Sequence, residues 1–231
     1  MRSWLLFPAV LVVACATSGV GSEMDAAPGD ANDRDVTLLP DSNDGLDSRS
    51  DAPTTNDAAG DTSSLPEGSS CSSMGTLVTY DFTGQPGNQT STAATSSMAG
   101  ITAGAVSRAS TITAVAAANS IDGSNWSTAG LDTTRYYTFT LTPISCALDI
   151  TSLSIDTKSS GTGPTSAAVA TSDDNFTATS TFTPAGTLAT VPLSVTGSTM
   201  PVEIRIYGFD ASGTAGTFRI ENTLTAVGSL N

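Results

Sequence analysis

Two adjacent aspartates, Asp173 and Asp174, a single lysine, Lys158, followed by Ser159 and Ser160, and the cysteines Cys71 and Cys146 are the residues of this 231-residue chain whose types invite a chemical reading. A glycosidase needs two carboxylates about 5 to 10 Å apart in one cleft. Neighbouring residues on a strand point to opposite faces, so Asp173 and Asp174 could share a substrate only from a turn. Ser172-Asp173-Asp174-Asn175 is itself a run of turn-forming residues that bond their own backbone, and Phe176 follows as its anchor. A Ser-Lys dyad needs an amine whose pKa is lowered by burial, and the polar stretch around Lys158 offers none. Gly161-Thr162-Gly163-Pro164 reads as a turn and not as a phosphate cradle, because Pro164 lacks an amide hydrogen and no helix follows. The chain contains no histidine, which removes Ser-His-Asp and Cys-His catalysis, histidine-ligated metals and imidazole proton transfer. These residues describe a protein that is not an enzyme.

Binding residues remain. Trp126 lies in the polar stretch Gly123-Ser124-Asn125-Trp126-Ser127, where it could stack on a sugar ring; its competing reading is a core side chain packed across the sandwich edge. Asp81 and Asn222 are the candidate oxygen ligands for a structural calcium near the first and last strands, against a buried, hydrogen-bonded asparagine without metal. No other cofactor is expected.

The chain that must position these residues changes character twice. Arg2 is followed by the apolar run 4–13, about ten residues and too short to cross a bilayer as a helix. Val12-Val13-Ala14 then places small residues before Cys15. This segment resembles a bacterial lipoprotein signal. The resemblance implies that residues 1–14 are removed and that acyl chains on Cys15, palmitate among them, anchor the protein in a lipid membrane. An ordinary signal peptide, cut by the general peptidase at Ala-Cys-Ala 14–16, is the alternative. Ala16, where enteric lipoproteins retained at the inner membrane carry aspartate, directs the expectation to the outer membrane of the cell envelope.

Residues 15–70 form the second part, an expected disordered acidic tether. From residue 16 it holds 12 acids against Arg34 and Arg49, with too little apolar surface to offset its ordering entropy. Self-repulsion would extend it and hold the following domain away from the membrane. The whole chain has a formal charge of -14, which opposes binding to nucleic acid, whose affinity comes mainly from Lys and Arg.

Residues 71–231 are the third part and read as all-β. Short alternating runs recur at 76–83, 111–117, 136–142, 147–157, 166–172, 177–182, 187–195, 202–209 and 217–227, as expected of a two-sheet sandwich. Val202, Ile204 and Ile206 share one face and Glu203 and Arg205 the other; Phe218, Ile220 and Leu224 oppose Arg219 and Glu221 in the same way. The turn at 210–216 suggests that these two strands pair as a hairpin, with Glu203 near Arg219 or Arg205 near Glu221. By parity Asn222 should point inward. In 147–157, Leu148 and Ile150 have one parity and Leu153 and Ile155 the other, so a bulge near Thr151-Ser152 is needed to bury all four. An exported domain meets oxidising conditions, so Cys71 and Cys146 are expected as a disulfide, with two separate buried thiols as the alternative.

Six blocks occur in order: Arg135-Tyr136-Tyr137-Thr138-Phe139-Thr140-Leu141-Thr142-Pro143, Leu148-Asp149-Ile150-Thr151-Ser152-Leu153-Ser154-Ile155, Ser160-Gly161-Thr162-Gly163-Pro164, Ser172-Asp173-Asp174-Asn175-Phe176, Glu203-Ile204-Arg205-Ile206-Tyr207-Gly208 and Gly216-Thr217-Phe218-Arg219-Ile220-Glu221-Asn222. Together they resemble a group of secreted bacterial jelly-roll domains found in surface-anchored proteins, over residues 76 to 228. The resemblance implies a galactose-binding-like jelly-roll sandwich, an architecture common among carbohydrate-binding modules, and brings no catalytic residues. Cys146 stands where that pattern commonly has glycine. The expected function is a lipid-anchored, non-catalytic binding module with polysaccharide as partner. The alternative is a structural or adhesive display domain with a surface protein as partner and no small ligand.

Overall fold

The computed structural model describes residues 71–231; the signal segment, Cys15 and the acidic stretch lie outside the described residues. In chain order the strands are β1 (Ser73–Asp81), β2 (Pro86–Gly87), β3 (Ser91–Thr92), β4 (Ser96–Ser97), β5 (Ile101–Ala103), β6 (Val106–Arg108), β7 (Thr113–Val115) and β8 (Ser120–Ser124). They continue with β9 (Tyr136–Pro143), β10 (Leu148–Ser159), β11 (Ser166–Thr171), β12 (Ser180–Phe182), β13 (Ala185–Ser198), β14 (Val202–Phe209) and β15 (Phe218–Leu230). A single turn of 3-10 helix at Ser172–Asp174 interrupts them.

The strands form two sheets. One runs β13-β10-β15-β1-β4 with β8 also against β15 and the short β2 and β7 against β8; the other runs β12-β11-β14-β9-β6-β3 with β5 on β9. The domain is therefore a two-sheet β-sandwich. Every pairing is antiparallel except that of β2 with β8. Inward residues of the second sheet, among them Tyr137, Phe139, Ile204 and Ile206, pack with Leu148, Ile155, Phe218 and Ile220 of the first in one core. Burial of each such side chain contributes about 1.5 to 3 kcal/mol.

The bulge required by the parity of β10 is present. Register shifts between Ile150 and Ser152 against both neighbouring strands, and Leu148, Ile150, Leu153 and Ile155 are all fully buried. Cys71 and Cys146 form a disulfide with Cα atoms 5.5 Å apart, which ties the first described residue to the turn between β9 and β10.

The expected hairpin of 202–206 with the last strand is not formed. β14 pairs with β11 and β9 in one sheet, while β15 pairs with β10, β1 and β8 in the other. Residues 210–217 cross between sheets, so the apolar faces of β14 and β15 meet through the core instead of lying side by side. The charged residues consequently pair along each strand: Arg205 with Glu203 at 2.7 Å and Arg219 with Glu221 at 2.6 Å.

Candidate functional site

Trp126, the candidate stacking residue whose competing reading is the core, has no solvent-exposed surface. Its ring packs 5.2 Å from those of Tyr137 and Phe218, and its indole N–H donates to the Gly123 carbonyl at 2.7 Å. Gly208 makes room for it, since a Cβ there would stand 2.9 Å from Phe218 and Pro164 and 3.1 Å from Trp126. The core reading of Trp126 prevails over stacking for a physical reason: among the described residues the indole is the largest fully buried side chain, and once its N–H is satisfied the core is where its area contributes most.

Asp81 and Asn222, the candidate calcium ligands, are each engaged in protein hydrogen bonds. Asn222 has φ 55°, a left-handed conformation that asparagine tolerates, and three residues of β15 oppose one of β10 at this point. The bulge turns Asn222 outward against its parity, and its amide donates to Asp156 Oδ2 at 2.7 Å. Asp81 is exposed and accepts the Thr83 amide at 2.8 Å. Among the described residues no group of three or more acids or cysteines is gathered as metal ligands.

Asp173 and Asp174 occupy the 3-10 turn, as the sequence suggests. Asp174 Oδ1 and Oδ2 accept the amides of Thr177 and Ala178, so its carboxylate organises the loop. Lys158 is exposed on β10.

The residues that do converge lie on the outer face of the second sheet. Strand register aligns Ala170, Arg205 and Thr138 in one row across β11, β14 and β9, and Ala168, Tyr207 and Tyr136 in the next. These are the parities opposite to the core residues Val169, Ile206 and Tyr137. The Arg205 guanidinium sits between two rings, 4.3 Å from the centre of Tyr136 and 3.9 Å from that of Phe176. Each cation–π contact at a partly exposed site is worth about 0.5 to 1 kcal/mol.

Phe176 arrives over the sheet from the loop after the 3-10 turn. Asn175 and Phe176 have φ 58° and 59°, and Phe176 N–H donates to the Thr171 carbonyl at 2.9 Å. For a bulky side chain this backbone is unfavourable, so packing on Arg205 and the loop's hydrogen bonds must hold it there. Tyr207 meets Tyr136 edge to face at 5.8 Å. The Tyr207 hydroxyl is buried beside Arg205, and burial raises its pKa against the lowering contact and charge of that guanidinium.

Glu203 completes the cluster. Arg205 donates Nε–H to Oε1 at 2.7 Å and an Nη2 hydrogen to Oε2 at 3.2 Å, and the Thr138 hydroxyl donates to Oε1 at 2.9 Å. Burial works to raise the Glu203 carboxyl, but the Arg205 and Thr138 hydrogen bonds and the guanidinium charge outweigh it and hold the pKa below the ordinary value. A pocket of about 230 Å³ lies away from this cluster, where Val169, Thr171 and Ser180 of the second sheet meet Pro192 and Leu193 of β13 in the first. Residue type and spacing alone do not mark Tyr136, Phe176 and Tyr207 as site residues. The available signal was an aromatic, Tyr136, on the same parity as the outward Thr138 and Thr140.

No family model matches this sequence, and no curated protein does either. Among solved structures, a carbohydrate-binding module of family 29 aligns over 65% of this chain and 88% of its own, at 13% identity and a TM-score of 0.34. A variant of a family 29 module in complex with mannohexaose aligns over 65% and 92%, at 13% identity and a TM-score of 0.33. A charge-substituted family 29 module gives 64%, 90%, 13% and 0.32. Scores of this size carry no ligand across, so the site is read from its own residues.

Proposed function

We propose that residues 71–231 are a non-catalytic carbohydrate-binding module and that the outer face of the second sheet is its binding surface. The observation that carries the reading is the half-buried cluster of Tyr136, Arg205 and Phe176 with Glu203 and the Thr138 hydroxyl beside it. Sugar rings present apolar C–H faces and a rim of hydroxyls. Aromatic faces match the first, and a guanidinium, a carboxylate and hydroxyls match the second. Nothing in this set resembles a nucleophile with a base beside it or a pair of carboxylates across a cleft, which is why binding is preferred to hydrolysis.

The expected lipid at Cys15 and the acidic stretch to residue 70 complete the proposal: a module displayed from the cell envelope, at the outer membrane, on an extended tether. The test is a glycan microarray probed with the full chain and with Tyr136→Ala. Saturable binding that the variant loses supports the reading, and binding to no glycan, or binding unchanged in the variant, sinks it.

A second reading, a display domain with a protein partner, is favoured by one observation. Met74 and Ile144 are strongly exposed, 88% and 69%, and Ile144 lines an apolar pocket of about 260 Å³ beside the disulfide. Capture of a surface protein that is abolished by Ile144→Ser and unaffected by Tyr136→Ala would support that alternative.

A further inference from the structure

We infer that the face of Tyr136, Arg205 and Phe176 selects uncharged glycans over polyanionic ones, and that Glu203 is the residue that sets this choice. The inference rests on the carbohydrate-binding reading and concerns the class of sugar that the same face accepts. It follows from where each positive charge of the described residues is spent. There are five such residues against ten acids, which leaves the domain at -5.

Arg108 donates to the backbone carbonyls of Gly87, Gln89 and Asp122, bringing β2, β8 and the loop before β3 together behind β6. Arg135 is taken by Asp132 at 3.0 Å and by the carbonyl and side chain of Asn125. Arg219 is paired with Glu221 on β15, and Lys158 is its cross-strand neighbour on β10, both in the first sheet. Only Arg205 belongs to the binding face.

The Arg205 charge is already matched. Glu203 takes two of its donors in a two-point contact, the geometry in which guanidinium and carboxylate bind most strongly. The rings of Tyr136 and Phe176 both pack against its guanidinium, so a ligand carboxylate or sulfate would have to use the N–H groups that Glu203 leaves free. There it would meet the Glu203 carboxylate at close range and the net negative domain at longer range. A neutral sugar hydroxyl pays neither penalty. It can accept from the free edge of Arg205 or donate to Glu203 without separating them.

A hydrogen bond to an unmatched charge is worth about 1.5 to 3 kcal/mol, so release of Arg205 should strengthen anion binding by on the order of tenfold or more. The decisive experiment measures depletion of the full chain, wild type and Glu203→Gln, by two classes of polysaccharide. Galactoglucomannan and xyloglucan represent neutral glycans; polygalacturonate, alginate and heparin represent anionic ones. Each is run at about 0.05 M and about 0.5 M NaCl, a range over which screening separates charge-driven from neutral contacts.

Wild-type binding confined to neutral glycans and indifferent to salt is expected. Glu203→Gln should gain salt-sensitive binding to the anionic set, and the double variant Glu203→Gln/Arg205→Gln should lose that gain while still unfolding cooperatively, as its circular dichroism melt would show. Wild-type retention on polyuronates or heparin, weakened by salt, would overturn the inference and leave carbohydrate binding intact. So would neutral-glycan binding without any anionic gain in a folded Glu203→Gln. Failure to bind either class in wild type and single variant alike would instead remove the carbohydrate reading on which the inference stands.

Discussion

Replacing Asp122 with asparagine should stabilise the domain at neutral pH and leave it unchanged in acid. Asp122 is 2% exposed, on β8, and its Oδ1 accepts the Gly123 amide at 2.7 Å. Burial raises its pKa from 3.8 to about 6, against the pull of the Gly123 amide, Arg219 and Arg108 and with a further push from Glu221. Between about pH 4 and pH 6 the folded chain therefore binds more protons at this site than the unfolded chain. Stability from this group is present below the unfolded pKa and is lost as pH rises through the folded one. Two pKa units correspond to about 3 kcal/mol, the upper bound on the gain expected for Asp122→Asn at pH 7.5. The amide oxygen can still accept from Gly123, so the change removes charge without removing that contact. Urea unfolding of wild type and variant at about pH 3.5, 5 and 7.5 gives the difference directly, with other carboxylates cancelling between the two. A variant that is equally stable at every pH, or less stable at pH 7.5, would refute the argument that Asp122 is held ionised at a cost.

Trp126→Ala should cost about 3 to 5 kcal/mol of stability by leaving a cavity between Tyr137 and Phe218, measured by chemical unfolding, whereas Trp126→Phe should leave glycan affinity unchanged. The Cys71→Ser/Cys146→Ser double variant should lose about 4 kcal/mol, because the disulfide joins residues 75 positions apart and restricts the unfolded chain; comparison of unfolding midpoints with and without reductant checks this. Cys15→Ser should abolish incorporation of labelled palmitate in bacteria that express the chain, and labelling that persists would place any lipid elsewhere.

What the sequence made legible followed from strong local patterns. The parity conflict in 147–157 demands a bulge at Thr151-Ser152, and β10 has one there. The alternation of Val202, Ile204 and Ile206 with Glu203 and Arg205 gives both the strand and its polar face. Other features had no local signature. β8 is a short Ser-Ile-Asp-Gly-Ser strand whose burial comes from neighbours on both sides, so no alternation announces it. Partner choice for β14 and β15 depended on a crossover between sheets, which a turn-rich loop reads equally well as a hairpin. The candidate site was hidden for a related reason. Tyr136, Phe176 and Arg205 come from three separate segments, and only the pairing of β9 with β14 and the left-handed Phe176 bring them together. Trp126, by contrast, drew attention through residue type alone, and a satisfied indole in the core is the commoner outcome for such a residue.

The central claim is that sugars are bound on the outer face of the second sheet. Affinity electrophoresis of the full chain through gels containing neutral polysaccharides tests it most directly, with Tyr136→Ala, Trp126→Phe and Ile144→Ser run beside wild type. The account predicts retardation of wild type, Trp126→Phe and Ile144→Ser, and free migration of Tyr136→Ala. Retardation of Tyr136→Ala together with loss in Ile144→Ser would contradict it and move the binding surface to the disulfide end of the sandwich.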